Sequence, residues 1–155
     1  MTDLSQKNTP VIRPYQTTDR ESCLAALDAN TPDYFAPQER ALFEKFLDDI
    51  PGTYLVVEVA KKVVGCGGYI PVPDTNDVHT SWGMVHPDYK GYGLGKGLLE
   101  ARLDAVRCMG DAKRIRVTTS PATESFFLPY GFTVTRREKD GIVCGIDLVE
   151  MWLEL

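Results

Sequence analysis

Residues Val85–Leu99 read VHPDYKGYGLGKGLL, and this stretch decides the fold. Glycine occupies every second position from Gly91 to Gly97, directly after a predicted strand that ends at Val85. The first N–H groups of a helix are unpaired and carry partial positive charge, and glycines let the backbone approach an anion. The stretch therefore predicts a phosphate-binding turn between a strand and a helix. The helix is indicated by an apolar stripe with helical spacing, at Leu94, Leu98, Leu99, Leu103 and Val106.

Two familiar nucleotide-binding patterns do not fit this spacing. The dinucleotide pattern G-x-G-x-x-G requires a third glycine where Lys96 or Leu98 stands. The Walker pattern requires glycine at position 96 and a Ser or Thr directly after a lysine, whereas Lys96 is followed by Gly97. The spacing therefore disfavours a GTP- or ATP-binding regulator. A phosphate cradle and a tight turn without a ligand both stay open from these residues alone.

The composition is typical of one globular domain. Of the 155 residues, 43% are apolar and 25% charged, so we predict a single domain over residues 1–155, with a flexible tail at 1–9. The formal net charge of −5 disfavours nucleic acid and anionic membrane as partners. The chain shows neither an apolar run of membrane-spanning length nor a signal-peptide pattern, so we expect a cytoplasmic location.

The cysteines give no sign of a metal site. Their positions include no C-x-x-C spacing, and the chain has only two histidines to add as ligands. We expect no bound metal and interpret all four cysteines as buried, reduced thiols. They are Cys23, Cys66, Cys108 and Cys144.

The remaining patterns predict the order β-α-α-β-β-β-α-β-α-β-β. A capping box at Thr18 and Glu21 opens the first helix, and the last hairpin is expected to turn near Asp140-Gly141. Short turns join most neighbouring strands and one helix crosses between two strands, so the class is α/β with a mixed sheet. The predicted strands are Val11–Tyr15, Thr53–Ala60, Val63–Ile70, Val78–Val85, Ile115–Thr119, Phe132–Arg136 and Leu148–Leu155. The other predicted helices begin at Pro37, follow the glycine-rich turn as far as Gly110, and span Ala122–Tyr130.

The pattern Lys90-x-x-Gly93-x-Gly95 resembles the acetyl-CoA-binding motif of the GNAT acetyltransferases, Gln/Arg-x-x-Gly-x-Gly/Ala. Lysine in the first place keeps the charge but lacks the planar fork of arginine. The resemblance implies the acyl-CoA N-acyltransferase fold, a mixed central sheet of about six to seven strands with about four helices on both faces, and acetyl-CoA as cosubstrate. The residues it implies for cofactor binding are Met84, Val85, Lys90, Gly91, Tyr92, Gly93, Leu94, Gly95, Lys96 and Gly97, together with Ser120 and Phe127.

Residues 120–132 resemble the second signature of the same family, a helix that ends in Tyr-x-x-x-Gly-Phe. Ser120 stands where many members have an asparagine near the cofactor. The family's tyrosine, which is taken to protonate the leaving thiolate, corresponds to Phe127, and phenylalanine has no proton to give. Tyr130 is about one helical turn further on, where it is either a substitute acid or an ordinary packing residue.

The resemblance also implies a mechanism. The fourth and fifth strands separate, the cofactor arm lies between them, and a primary amine of a small molecule or peptide attacks the thioester directly in a ternary complex. The position of the family's strand-borne glutamate base corresponds to His79, whose ordinary pKa suits a base, and a half-exposed strand histidine without a chemical role is the alternative. An acyl-CoA-binding module without strong catalysis is the alternative, and a homodimer stays open. The candidate substrate-pocket residues are Tyr34, Phe35, Trp82 and Asp147.

Overall fold

The structure is a computed structural model and describes residues 9–155. Short 3-10 turns precede the first helix, precede the glycine-rich turn and follow the last helix. The strands are β1 Val11–Pro14, β2 Thr53–Val59, β3 Lys62–Pro71, β4 Asp77–Val85, β5 Arg114–Thr119, β6 Thr133–Val143 and β7 Ile146–Glu154. The helices are α1 Arg20–Ala29, α2 Glu39–Asp48, α3 Leu94–Cys108 and α4 Glu124–Phe127.

The seven strands form one sheet in the order β1-β2-β3-β4-β5-β7-β6. Only β4 and β5 run parallel, and α3 is the crossover that connects them. Their pairing is limited to three residue pairs and stops at His79 and Arg116, although both strands continue beyond that point. The sheet therefore opens between β4 and β5. The predicted mixed α/β architecture is confirmed.

Apolar side chains cover both faces of the sheet. On one face α1 and α2 bury Cys23, Leu27 and Phe43 against β2 and β3. On the other, the apolar stripe of α3 buries Leu99 and Leu103 against β5 and β7. Leu99 and Phe43 have no exposed surface, so truncation of either to alanine is expected to cost about 2–5 kcal/mol. The opening between β4 and β5 therefore lies in a sheet that is packed on both faces.

Several local predictions were wrong. The Thr18–Glu21 capping box does not form, because Asp19 instead accepts the backbone N–H of Gln16 at 2.8 Å before α1 begins. The last hairpin turns at Cys144-Gly145 rather than at Asp140-Gly141, since β6 continues to Val143 through an irregular segment. The last predicted helix is split, with α4 followed by a 3-10 turn, because proline lacks a backbone N–H for a continuing helix.

The interpretation of every cysteine as a buried thiol was half right. Cys23 and Cys66 are buried, whereas Cys108 and Cys144 are exposed and free. Cys108 is the last residue of α3 and Cys144 lies in the β6–β7 turn, and neither belongs to a buried cluster of the described residues.

The predicted single domain stays a prediction, and its tail at 1–9 lies outside the described residues except for Thr9. In the range 9–155, no helix combines the length and the apolar composition that crossing a membrane requires.

Candidate active site

The opening between β4 and β5 leads into a cavity of about 800 Å³. Its walls are the unpaired parts of these two strands, and the glycine-rich turn, the α1–α2 loop and α4 close its ends. Strand ends that diverge leave backbone groups without a neighbouring strand. The cavity therefore combines the helix N-terminus that the glycine-rich sequence predicts with the free strand edges that the family resemblance implies.

The glycine-rich turn has the form of an anion cradle. Gly91 and Gly93 have positive φ angles of 87° and 77°, and a Cβ built on either would meet no atom within 4 Å. Gly93 is the N-cap of α3, and no side chain of the described residues caps this end by a hydrogen bond. The first N–H groups of α3 are therefore available to an anion, and phosphate oxygens fit this arrangement.

Asn30, at the end of α1, connects the first lysine of the turn to β4. Its side chain is buried, with 2% of the residue exposed, and its amide donates to the carbonyl oxygens of Ala26 at 2.8 Å and Val85 at 2.9 Å. Its Oδ1 accepts from Nζ of Lys90 at 2.9 Å. Lys90 also lies 3.6 Å from the ring centroid of Tyr34, and desolvation lowers the pKa of Lys90. Asn30 thus fixes where Lys90 stands at the cavity mouth.

Aromatic rings form the wall opposite α3. The ring of Trp82 stacks on Phe35 with 6.2 Å between centroids and lies 4.9 Å from Phe43. The Tyr54 hydroxyl donates to the backbone oxygen of Trp82 at 2.7 Å. Trp82 has a positive φ of 38° beside an irregularity in the β3–β4 pairing, so the strand bends at this residue. Phe43 and Tyr54 therefore hold the bend in place from the α2 side.

His79 lies where the parallel pairing ends. Its Nδ1 is 2.8 Å from Nη2 of Arg116, and its ring packs edge-on to Trp152 at 6.1 Å. Burial lowers the pKa of His79, and the charge of Arg116 lowers it further. The imidazole is therefore neutral near pH 7. Because a guanidinium only donates, Nδ1 is the acceptor and Nε2 carries the proton.

Most of the predicted site residues meet in this one cavity. Phe127, at the position of the family's tyrosine, is one of them, and its ring also packs on Phe132 at 5.6 Å. The predicted residues that line the cavity are Tyr34, Phe35, His79, Trp82, Met84, Val85, Lys90, Gly91, Gly93, Leu94, Gly95, Lys96, Ser120 and Phe127.

Four of the predicted site residues do not line it. Tyr92 packs in the apolar cluster below the turn, and Gly97 lies inside α3. The half-buried Tyr130 packs against the core cluster, with its ring centroid 6.2 Å from that of Phe126. Asp147 is exposed in the β6–β7 hairpin, where its Oδ1 accepts the backbone N–H of Asp140 at 3.0 Å.

The sequence argument missed three charged residues of the cavity wall. Glu39 begins α2, accepts the N–H of Ala36 at 2.8 Å, and has its pKa raised by desolvation. Arg116 is the partner of His79, and Arg102 lies buried on α3. Only Arg102 left a sequence signal, because it follows Leu98 by four residues and so interrupts an apolar stripe.

A family model for the acetyltransferase (GNAT) domain matches residues 23–155, which is most of the chain. The chain belongs to the GNAT acetyltransferase family. Acetyl-CoA is therefore its cosubstrate, as the glycine-rich motif predicts, and the residues of the cradle fit the phosphates of that molecule. No curated protein sequence matches the chain.

Solved GNAT structures share the fold at low sequence identity. A GNAT-family protein from Desulfovibrio desulfuricans is 22% identical, with a TM-score of 0.77 over 94% of this chain and 99% of that one. The ribosomal-protein-S18-alanine N-acetyltransferase of Escherichia coli is 17% identical, with a TM-score of 0.79 over 94% of each chain. YncA of Salmonella typhimurium, solved with its cofactor acetyl-CoA, is 21% identical, with a TM-score of 0.72 over 95% of this chain and 94% of that one. At these identities the likeness shows the fold.

Proposed function

We propose that this acetyltransferase moves an acetyl group from acetyl-CoA to a primary amine of a small molecule or peptide, by direct attack in a ternary complex. The observation that carries the proposal is that the opening between β4 and β5 and the uncapped N-terminus of α3 belong to one cavity. Acetyl-CoA supplies the acyl group as a thioester. Acetyl-CoA is a long ligand whose pyrophosphate fits the N-terminus of α3 and whose extended arm fits the opening between the strands.

The glycine-rich turn holds the phosphate end in this proposal. The N–H groups at the start of α3 donate to the pyrophosphate, and Lys96, which is exposed at the same turn, adds positive charge. Free backbone groups of β4 beyond His79 pair with the amide-containing arm, as an added strand does. A backbone N–H near Met84 and Val85 donates to the thioester oxygen. Ser120 and Phe127 form the facing wall.

The amine approaches between the aromatic wall and β5. Tyr34, Phe35 and Trp82 line this part, and Glu39 is the only carboxylate among the described residues that line the cavity. A lysine-like ammonium has a pKa of about 10.4, so the amine has to lose a proton before it attacks. The charge of Glu39 attracts the ammonium. Asp147, which lies on the hairpin outside the cavity, serves at most as an outer attraction for cations.

His79 is the proposed base. It is neutral near pH 7, and it lies at the point where the two strands separate. Because Nδ1 accepts from Arg116, the ring takes a proton there only when that hydrogen bond opens. The leaving thiolate needs little help, since thiols have a pKa of about 8.5 and Phe127 has no proton to offer. The general-acid role predicted for Tyr130 stays a prediction.

The test is thiol release from acetyl-CoA across a wide panel of primary amines. Cys108 and Cys144 are exposed thiols that react with a thiol reagent, so the assay uses a Cys108→Ser, Cys144→Ser background and a blank without amine. Calorimetry with CoA is run alongside. Thiol release with at least one amine supports the proposal. Binding of CoA without release on any amine would point instead to an acyl-CoA-binding module, and absence of binding would refute the cradle.

A further inference from the structure

Arg102 is a buried cation for which the described part of the chain offers no anionic partner. It lies on the inward face of α3 with 5% of the residue exposed. Its Nε is 3.4 Å from the carbonyl oxygen of Leu98, and its Nη1 is 3.5 Å from that of Gly68, so both hydrogen bonds are at the limit of length. No carboxylate of residues 9–155 forms an ion pair with it.

Two glycines of the sheet make room for the guanidinium. A Cβ at Gly67 would lie 3.2 Å from Cζ of Arg102, and a Cβ at Gly83 would lie 3.1 Å from its Nη2. Gly83 is exposed although it lies within β4, because this part of the strand borders the opening. The guanidinium is thus part of the cavity wall, at the bend of β4 that follows Trp82.

Burial of an unpaired charge is costly, and buried arginines generally have an anion beside them. Desolvation lowers the pKa of Arg102 to about 10, so the side chain is still charged at neutral pH. Its two carbonyl partners leave Nη2 without a hydrogen bond inside the described part of the chain. An apolar side chain at position 102 would be buried at a lower desolvation cost than arginine. The arginine is therefore best explained by a ligand that supplies the missing acceptor.

The phosphate cradle does not supply that acceptor. Arg102 is eight residues beyond Leu94, which is about 12 Å along the axis of α3. Lys90 and Lys96 stand at the turn itself. The lining therefore has a positive region beside the bend of β4 that is separate from the lysines at the phosphate end and from Arg116, which contacts His79. Beside the same bend, the buried hydroxyl of Ser81 has no hydrogen-bond partner within residues 9–155.

We propose that Arg102 binds a carboxylate of the ligands that react in this cavity. The inference rests on the proposed function, because it concerns the same cavity. A carboxylate can enter in two ways, either at the end of the acyl chain of an acyl-CoA or as the carboxylate of an amino acid that accepts the acyl group. In both cases Nη2 and its neighbouring N–H groups donate to the two carboxylate oxygens, in the geometry that arginine favours.

The test compares wild type with Arg102→Met and Arg102→Lys by calorimetry. CoA is the first ligand, and we expect its affinity to agree within about twofold in all three proteins because the cradle is remote. The acyl arm compares succinyl-CoA with butyryl-CoA. The acceptor arm compares L-phenylalanine with 2-phenylethylamine, each on protein saturated with CoA.

In wild type we expect the carboxylated member of one pair to bind at least about tenfold more tightly than its neutral partner. Arg102→Met should remove that preference, and Arg102→Lys should keep part of it. The arm in which the preference occurs identifies the source of the carboxylate. A preference that survives in Arg102→Met, or its absence from both arms in wild type, would overturn the inference and leave Arg102 as a packing residue.

Folding controls keep the test decisive. Urea unfolding of apo Arg102→Met is expected to show a stability equal to or above wild type, because an unpaired buried charge is replaced by an apolar chain of similar length. If Arg102→Met does not fold, a reduced preference in Arg102→Lys supports the inference and an unchanged preference contradicts it. Absence of CoA binding in wild type would refute the proposed function instead, so the two failures are distinguishable.

Discussion

Nη2 of Arg116 lies 2.8 Å from Nδ1 of His79, across the last residue pair that joins β4 to β5. Beyond this pair the strands separate, so the contact stands at the inner end of the cavity. Both the burial of the imidazole and the charge of Arg116 lower the pKa of His79. The contact with Arg116 therefore helps to keep the imidazole neutral, and it occupies Nδ1, the nitrogen that would accept a proton.

The pH dependence of turnover tests the role of His79. If its neutral form is the base, kcat/KM is constant down to its lowered pKa, below the ordinary 6.5, and decreases as pH falls through that pKa. Arg116→Gln removes one cause of the lowered pKa, so we expect the acid limb to move to higher pH. His79→Gln should remove the limb and lower turnover by about 10²–10⁴.

These profiles are measured from pH 5 to 9 with one amine for all variants. A limb that persists unchanged in His79→Gln would exclude His79 as its source. Its disappearance in Glu39→Gln would then assign the base role to Glu39, whose carboxyl has a pKa raised by desolvation.

Two substitutions at Gly95 distinguish the effect of an added side chain on the cradle from the effect of an added negative charge. A Cβ at this position would lie 3.6 Å from Cζ of Phe126, an ordinary contact, so Gly95→Ala fits and is expected to stabilise α3 by about 0.5–1 kcal/mol. Gly95→Glu places a carboxylate among the N–H groups that receive the phosphates, and we expect it to abolish CoA binding. Thermal unfolding of the apo proteins and calorimetry with CoA give the two readouts. Wild-type affinity in Gly95→Glu would show that the phosphates bind elsewhere.

Tyr130 was expected to be either a substitute acid or a packing residue, and it lies outside the cavity lining to which Phe127 belongs. Tyr130 is not among the residues that line the cavity, and its ring packs on Phe126, so Tyr130→Phe is expected to keep kcat within about twofold. The ring of Phe127 lines the cavity, and Phe127→Tyr adds a hydroxyl there. Steady-state turnover with one good amine is the measurement. A loss of tenfold or more in Tyr130→Phe, with stability unchanged, would establish Tyr130 as the acid.

The ion pair of Asp19 makes stability depend on pH. Its buried carboxylate accepts from Nη1 and Nη2 of Arg13 at 2.8 and 3.0 Å, and from the backbone of Gln16. The hydrogen bonds from Arg13 lower the pKa of Asp19 below 3.8, so its contribution is complete above that pH and is lost as pH falls through the folded-state value. We expect Asp19→Asn to cost about 2–3 kcal/mol at pH 7.

Urea unfolding between pH 7 and pH 2.5 checks this expectation. The difference in unfolding free energy between wild type and Asp19→Asn should shrink as pH falls. Glu21→Gln is the matched control, because Glu21 is exposed and the capping box it was predicted to form is absent; it should change stability by less than about 0.5 kcal/mol. An equal loss in both variants would mean that the Arg13 pair is not the cause.

The sequence alone was sufficient for the architecture and for the presence of a glycine-rich turn at the start of α3. Each strand and helix follows from a repeat of apolar residues along a short stretch, and Gly91–Gly97 carries its conformation within a few residues. The cradle consists of backbone groups from one continuous segment, so anion binding can be predicted there without knowledge of the fold. Thr18 and Asp19 are competing candidates for the residue that caps the chain before α1. Asp19 takes this role, accepting the backbone N–H of Gln16, because it also forms an ion pair with Arg13 of β1.

The reacting end of the cavity depends on contacts between distant parts of the chain. His79 and Arg116 are 37 residues apart, and Asn30 reaches Val85 across 55. Glu39 and Arg102 enter the lining because two helices pack on opposite faces of one sheet. Tyr130 lies outside the lining because its ring packs on Phe126 and against the core cluster. Burial and charge pairing set the pKa values of these groups, and both are properties of the packed structure rather than of any single segment.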